Sequence, residues 1–235
     1  MSRNTRMRKS GFTLVELMLS MAFLSMLLLA IAMTVIQIGN IYTKGTSIRE
    51  VNQAGRLVTD DIRRTFAQSQ PLAVDAIAGT RWSTADSGSI CLGGYSYVWN
   101  TPHGLGGGTA EPVTFAGDGE PVYLVRVADP GRDMCKPGDG KVVSRSQAKE
   151  LLNAGDRPLV VYKFDVHRNV MTGGSIPGQE MYRISLRIGT ATGDEVLTGV
   201  SACKPPSQGD GWGDYCSVNT FDIIVRAGGG LTEGN

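Results

Sequence analysis

The first feature of the chain is an apolar stretch from Leu17 to Ile36, whose few polar interruptions are uncharged: Ser20, Ser25 and Thr34. At 1.5 Å per residue its roughly 20 residues form a helix of about 30 Å, enough to cross a bilayer core. Basic residues beside a span keep that end in the cytoplasm, and four precede it: Arg3, Arg6, Arg8 and Lys9. We therefore expect a single-pass membrane segment, with the N-terminus inside and everything after about Asn40 outside.

A second pattern, from Ile41 to Gln70, is typical of the same helix continuing into water. Apolar residues recur at helical spacing and form one stripe: Ile48, Val51, Val58, Ile62 and Phe66. Pro71 ends the helix, because proline lacks the N–H that a helix interior requires. Three glycines are weak points at which the helix could bend: Gly39, Gly45 and Gly55.

From residue 71 to 235 apolar and polar residues alternate with a period of two, which predicts antiparallel strands with one covered face. The clearest strands are Tyr123–Val127, Val160–His167, Tyr182–Ile188 and Phe221–Arg226, and the weaker ones are Ile90–Trp99, Val113–Phe115 and Glu195–Val200. One short helix is expected from about Ser146 to Asn153. The fold class is therefore α+β, with the amphipathic half of the long helix packed on an antiparallel sheet.

Composition gives little support to an enzyme. The 235 residues contain only two histidines, His103 and His167, and no sequence motif of a serine hydrolase, zinc protease or phosphate-binding loop. We expect no catalytic residues and no cofactor. The chain has 23 basic and 22 acidic residues, and four of the basic ones lie before Phe12, so the remainder carries a net charge of −3. This mildly acidic balance shows no general preference for nucleic acid.

Four cysteines follow the apolar stretch: Cys91, Cys135, Cys203 and Cys216. None has the close spacing of a zinc site, and an even number in an exported domain favours two disulfides. Three connectivities are open. We prefer Cys203–Cys216, because closing a short loop rich in Pro, Gly and Asp stabilises it, and this leaves Cys91–Cys135. The loop between Cys203 and Cys216 is also our candidate for a subunit or surface contact.

Two further kinds of site have only weak support. Acidic residues near two of the cysteines suggest calcium, but lack an alternating Asp ladder and are interpreted as turn residues: Asp129, Asp133, Asp139, Asp210 and Asp214. We therefore predict no metal site. A DNA-binding face is a minor alternative, based on arginines expected on the outer faces of the strands and on a short aromatic run: Arg126, Arg183, Arg187, Arg226, Tyr95, Tyr97 and Trp99.

Glu16 is the one residue that does not suit a simple membrane anchor, because a carboxylate at the edge of hydrocarbon is costly. One interpretation is a capping box, in which Thr13 and Glu16 satisfy the free N–H groups of the first helical turn. Another emerges from the string Lys9-Ser10-Gly11-Phe12-Thr13-Leu14-Val15-Glu16 before a long apolar helix. It resembles the processing site of type IV prepilins and pseudopilins.

This resemblance implies a specific processing step and a pilin-like fold. A membrane prepilin peptidase would cut between Gly11 and Phe12, and Phe12 would become an N-methylated terminus. Glu16 would match the fifth residue of the mature family members, which pairs with the terminal amine of a neighbouring subunit. The chain then divides into four parts. Residues 1–11 are a leader, and residues 12–40 are a transmembrane and assembly half-helix. Residues 41–70 are an amphipathic half-helix, and residues 71–235 are an extracytoplasmic β-rich domain.

The function that the resemblance implies is that of a non-catalytic subunit of a type IV pilus or related filament. Its partners would be the peptidase, other pilin subunits, and an assembly platform protein with its ATPase system. It would sit in the cell membrane before assembly and in an extracellular filament afterwards. The alternatives are a minor pseudopilin of a secretion or competence system, and a filament-tip adhesin or DNA-binding module.

Some features of the sequence leave room for other interpretations. Many major pilins have a proline in the membrane half of the helix, and no proline lies between Phe12 and Gln70 here. The segment from Val51 to Arg63 is similar to that of larger minor pilins and J-type pseudopilins. A secretory signal peptide cut near Ala30-Ile31-Ala32 is disfavoured by the length of the apolar run. An uncleaved signal anchor of an unrelated surface protein is the remaining alternative.

Overall fold

The computed structural model describes residues 12–69, 80–108, 111–138, 140–152, 158–169, 181–191, 196–197, 202–203 and 216–227. The chain divides into two compact units, 1–43 and 44–235, and each is described by itself. Helix α1, Leu14–Gln68, is 55 residues long and contributes residues to both units. The fold class is α+β, as expected: a long N-terminal helix and sheets that are mainly antiparallel.

In the first unit, α1 exposes its apolar side chains throughout. Within the described residues it is the one helix long and apolar enough to cross a membrane, which agrees with the expected single-pass anchor. Its hydroxyl groups donate to backbone carbonyls in the turn before them: Ser20 to Leu17 and Ser25 to Met21, both at 2.8 Å. Thr34 donates to Ala30 at 2.8 Å in the same way. These polar groups therefore need no partner outside the helix.

In the second unit, the remainder of α1 buries the predicted apolar stripe, apart from its first member: Val51, Val58, Ile62 and Phe66 are fully buried. Ile48 is 43% exposed, and the buried position in that turn is Ser47. The prediction that Ile48 belongs to the buried stripe is therefore wrong. The helical assignment also continues through all three glycines, so none of them ends the element.

The strands of the second unit form two principal sheets. Their bounds are β1 Arg81–Ser83, β2 Ser87–Leu92, β3 Tyr95–Asn100, β4 Thr114–Phe115, β5 Leu124–Ala128, β6 Val142–Val143, β7 Ala148–Leu152, β8 Leu159–Asn169, β9 Met181–Thr190, β10 Val196–Leu197, β11 Ala202–Cys203 and β12 Val218–Arg226. A five-stranded antiparallel sheet has the order β1-β2-β3-β5-β7, and a three-stranded antiparallel sheet has the order β12-β9-β8. The pairs β4-β6, which is parallel, and β10-β11 are accessory ribbons.

The main hydrophobic core lies where α1 meets the inner faces of both principal sheets. Three members of the α1 stripe, Val58, Ile62 and Phe66, contribute to it. They pack with Tyr97 and Trp99 from β3, Phe164 from β8 and the alternating apolar residues of β9 and β12. A second cluster covers the opposite face of the five-stranded sheet: Val98, Val113, Phe115, Val122, Val125, Val127 and Val143. That sheet is therefore buried on both faces, whereas we expected its strands to have one solvated face.

The expected short helix from Ser146 to Asn153 is wrong. Residues Arg145–Gln147 form a single 3₁₀ turn, and Ala148–Leu152 form strand β7 at the edge of the five-stranded sheet. Lys, Glu and Leu favour a helix locally, but so short a helix is marginal in water. Pairing with β5 and burial of Leu152 outweigh that preference.

Candidate functional site

The N-terminal end of α1 forms the capping box that the sequence allowed. The backbone N–H and the hydroxyl of Thr13 both donate to Oε2 of Glu16 at 2.9 Å. In return, the Glu16 N–H donates to the Thr13 hydroxyl at 3.3 Å. The carboxylate thus satisfies a free donor of the first turn and lies at the positive end of the helix dipole.

This cap leaves part of the Glu16 carboxylate available. Both bonds from Thr13 go to Oε2, and Oε1 has no hydrogen-bond partner in the described part of the chain. Phe12 is 82% exposed one residue before Thr13. Gly11 lies outside the described residues, so the geometry of the Gly11–Phe12 bond is not described. The capping and assembly interpretations are therefore compatible, because the cap uses a single oxygen.

Two disulfides join the cysteines in the preferred pattern: Cys91–Cys135 and Cys203–Cys216. The first attaches β2 to the 3₁₀ turn Asp133–Cys135, and both of its cysteines are buried. The second closes a segment of the chain just before β12. The residues between Cys203 and Cys216, our candidate contact loop, lie outside the described residues.

A buried polar cluster that the sequence analysis missed joins α1 to the five-stranded sheet. Its centre is Asp61, which is 7% exposed. The Asp61 carboxylate accepts hydrogen bonds from Tyr97 at 2.9 Å, Lys149 Nζ at 2.8 Å and Arg126 Nη1 at 3.1 Å. The Tyr97 hydroxyl also lies 2.8 Å from Thr65 Oγ1. The spacing along the helix could have indicated this position. Asp61 lies three residues after Val58 and four before Thr65, which are both buried, so it is on the same face of the helix.

The residues considered for DNA binding do not share one surface. Arg126 faces α1 through its ion pair with Asp61, so its expected place on an outer strand face is wrong. Tyr97 and Trp99 are buried in the main core and offer no surface on which bases could stack. The remaining three arginines lie on the outer side of the three-stranded sheet, in β9 and β12: Arg183, Arg187 and Arg226.

Asp129, one of the acidic residues considered for calcium near Cys135, has a structural role. Asp129 accepts hydrogen bonds from the Ser96 hydroxyl at 2.7 Å and from the N–H groups of Asp133 and Met134 at 2.9 and 3.0 Å. Among the residues that the structure describes, no group of three or more His, Cys, Asp or Glu side chains is placed to hold a metal ion. Asp139, Asp210 and Asp214 lie outside those residues.

One further titratable pair is placed near α2, Pro102–Leu105. Nδ1 of His103 contacts the carboxylate of Asp86, which is 1% exposed. The Asp86 backbone carbonyl also accepts from the Thr101 N–H at 2.8 Å. The pair thus attaches α2 to the residue just before β2.

Comparison of the chain with protein families, with curated proteins and with solved structures finds no match.

Proposed function

We propose that this chain is a type IV pilin-like subunit of a surface filament. The leader before Phe12 is removed between Gly11 and Phe12 by a membrane prepilin peptidase, and the new terminus is methylated. The exposed apolar part of α1 then leaves the bilayer and packs against the same helix of other subunits. The chain acts as a building block rather than as an enzyme.

The observation that carries this proposal is the placement of Glu16. It follows the Gly11–Phe12 pair by a few residues and lies in the first turn of a helix whose apolar side chains are all exposed in this unit. A carboxylate at that depth is costly unless a positive charge meets it. A free amine at Phe12 of a neighbouring subunit supplies that charge, and at 4 Å with an effective dielectric of ~20 the attraction is about 4 kcal/mol before desolvation.

The structural cap supports rather than competes with this role. Thr13 holds one oxygen of Glu16 in a fixed position, and the other oxygen remains accessible to an external donor. Fixing the carboxylate at the first turn sets the axial position at which a neighbouring amine can bind. One ion pair of this kind can therefore determine the register between apolar helices that otherwise slide freely.

Mass spectrometry of the mature protein tests the processing step directly. The expected N-terminus is an N-methylated Phe12. An intact Met1, or a terminus near Ala32, contradicts the proposal, because the first indicates no processing and the second a secretory signal peptide.

Variants at the first turn separate the charge from the cap. Glu16→Gln retains a hydrogen-bonding side chain but loses the charge, so we expect processed protein that accumulates in the membrane without filaments. Thr13→Val removes the cap hydroxyl and keeps the charge, so filaments should still form. Normal filaments from Glu16→Gln, counted by electron microscopy of sheared cells, would contradict the assembly role.

A further inference from the structure

Strand β12, Val218–Arg226, has one unpaired edge in the described part of the chain. It pairs with β9 along its whole length, and the order β12-β9-β8 makes it the outermost strand of its sheet. Strand edges of this length are templates for pairing with another chain, and natural proteins usually protect them with bulges, prolines or short length. The pairing of β12 with β9 shows no register shift, and β12 contains no proline.

The hydrogen bonds at the start of β12 show which residues face the unpaired edge. The Thr190 N–H donates to the Ser217 carbonyl at 2.9 Å, so odd-numbered residues of this strand direct their backbone groups toward β9. Even-numbered residues then direct theirs toward the open edge, because the direction alternates along an antiparallel strand. The N–H of Thr220 agrees with this assignment, since it is bonded at 2.8 Å to the side chain of Asn219.

The residues at this edge form a self-complementary pattern. Asp222, Ile224 and Arg226 follow one another at alternate positions on the outer face. If a second copy pairs antiparallel with Ile224 opposite Ile224, each Asp222 lies directly opposite Arg226 of the other copy. The registers centred on Asp222 or on Arg226 instead place identical charges opposite each other, which is destabilising.

From this pattern we infer that β12 is a homotypic contact, through which two copies of the chain join their three-stranded sheets edge to edge. Three pairs of residues exchange main-chain hydrogen bonds in this register, about six bonds in all. The contact is isologous, since the same surface serves both copies. Ile224, which is 61% exposed in the single chain, lies on the two-fold axis against its own copy.

The charged residues are free to make these contacts. Arg226 has no partner among the described residues. Asp222 has only a long contact of 3.8 Å with Arg183, and both side chains are well exposed. Such an exposed pair contributes little, so Asp222 loses little when it turns toward Arg226 of another copy.

The contact also fixes how two copies are oriented. Near the start of β12, Asn219 donates a hydrogen bond of 2.7 Å to Asn52 of α1. Near its end, Val225 pairs with Tyr182 of β9. The Tyr182 ring in turn packs against Phe66 of α1. The helix therefore runs alongside β12 in the same direction. Antiparallel strands therefore place the Lys44 ends of the two α1 segments, where the second unit begins, at opposite ends of the pair.

A charge-exchange experiment tests this inference with the full chain. Each variant is incorporated singly into nanodiscs of zwitterionic lipid, and association between discs of two colours is measured by fluorescence cross-correlation. Asp222→Arg and Arg226→Asp each place like charges opposite each other in a pair of identical copies, so disc-to-disc association should weaken by at least about tenfold relative to wild type. Mixing the two variants restores opposite charges at both positions, and association should return.

A cross-linking experiment tests the register. In Ile224→Cys the two new cysteines lie directly opposite each other, so oxidation should link discs to one another. Thr220→Cys is the matched control, because the strand offset separates its two copies by several residues. Unchanged association of the single-charge variants, failure of the mixture to restore it, or equal cross-linking at both positions overturns the inference. Circular dichroism confirms that each variant is folded.

Discussion

The hydroxyl of Tyr97 in β3 donates a hydrogen bond of 2.9 Å to the carboxylate of Asp61 in α1. Both residues are buried, and the bond joins the helix to the centre of the five-stranded sheet. Arg126 and Lys149 balance the charge of Asp61 from β5 and β7. The helix is thus held by one polar cluster as well as by its apolar stripe, and the cluster fixes its axial position on the sheet.

Replacing Asp61 by Ala should destabilise the second unit strongly. The change removes the carboxylate that accepts from Tyr97 and neutralises the charge of Arg126, and breaking a buried ion pair in this way costs about 3 kcal/mol. Urea unfolding of the full chain in detergent, followed through tryptophan fluorescence, to which buried Trp99 contributes, measures the loss.

Asp60→Ala is the matched control for this measurement. Asp60 is the next residue of the same helix, its side chain is 60% exposed, and its contact with Arg63 is 3.5 Å long. Exposed pairs of this kind contribute less than about 1 kcal/mol. Similar losses for Asp60→Ala and Asp61→Ala would show that the buried cluster does not hold the helix.

The same cluster predicts a response to alkaline pH. Burial, together with the charge of Asp61, raises the pKa of the Tyr97 phenol above its ordinary value. A raised pKa in the folded state contributes stability below about pH 10, where both states are protonated, and loses it as the pH rises further. Tyr97→Phe should therefore cost about 1 kcal/mol at pH 7, and the difference from wild type should shrink between about pH 10 and 11.

Tyr162 is an internal comparison for the alkaline experiment. Burial raises the pKa of Tyr162 to about 12, and its hydroxyl donates to the Thr190 carbonyl rather than to a carboxylate. Because Tyr162 is retained in Tyr97→Phe, its contribution cancels in the difference between the two proteins. A difference that stays constant up to pH 11 would contradict the prediction for Tyr97.

The sequence predicts those elements whose apolar pattern matches the face that they bury. Val51, Val58, Ile62 and Phe66 repeat at helical spacing, and all four are buried. Tyr182 to Ile188 alternates, and this segment lies within β9. Both patterns are local, so they can be identified without knowledge of the remainder of the fold.

Elements determined by distant partners could not be predicted in this way. The residues of strand β7 favour a helix, and they form a strand because their backbone pairs with the edge of β5. The predicted strand Ile90–Trp99 is in fact the hairpin of β2 and β3, which turns at Gly93 with φ of 62°. The sequence alone does not distinguish Asp61 from other charged residues of the helix. Its partners, Tyr97, Arg126 and Lys149, come from three separate strands.

At Gly55, α1 lies in close contact with Phe221 of β12. A Cβ at Gly55 would lie 2.1 Å from the Phe221 ring. Gly55→Ala should therefore destabilise the second unit despite the higher helix propensity of Ala, by roughly 1–3 kcal/mol as for other overpacked sites. Thermal unfolding of the full chain by circular dichroism measures the change.

Gly45→Ala is the control in the same helix, because a Cβ there has no neighbour within 4 Å. Ala should stabilise that position by up to about 1 kcal/mol. The combination of Gly55→Ala with Phe221→Leu should recover part of the loss, since the smaller side chain leaves room for the methyl group. Equal behaviour of Gly45→Ala and Gly55→Ala would contradict the close approach.

Asp165 in β8 predicts a response to acid. Burial opposes ionisation, but hydrogen bonds from Lys163 and Arg81, with their positive charges, outweigh it and hold the pKa of Asp165 below its usual range. A lowered pKa contributes stability above about pH 4 that is lost as the pH falls through the folded-state value. Asp165→Asn should cost about 1 kcal/mol at pH 7, and the difference should close below about pH 4. An equal difference at pH 3 and pH 7, measured by urea unfolding, would contradict this.

The two disulfides should contribute unequally to stability. Cys91–Cys135 spans 44 residues and Cys203–Cys216 spans 13, and a longer closed loop restricts the unfolded chain more. Replacing both cysteines by Ala should cost about 4 kcal/mol for the first pair and about 3 kcal/mol for the second. Urea unfolding of the two double variants, each compared with wild type, gives the order directly. A larger loss at Cys203–Cys216 would mean that native contacts at that site, and not restriction of the unfolded chain, determine its contribution.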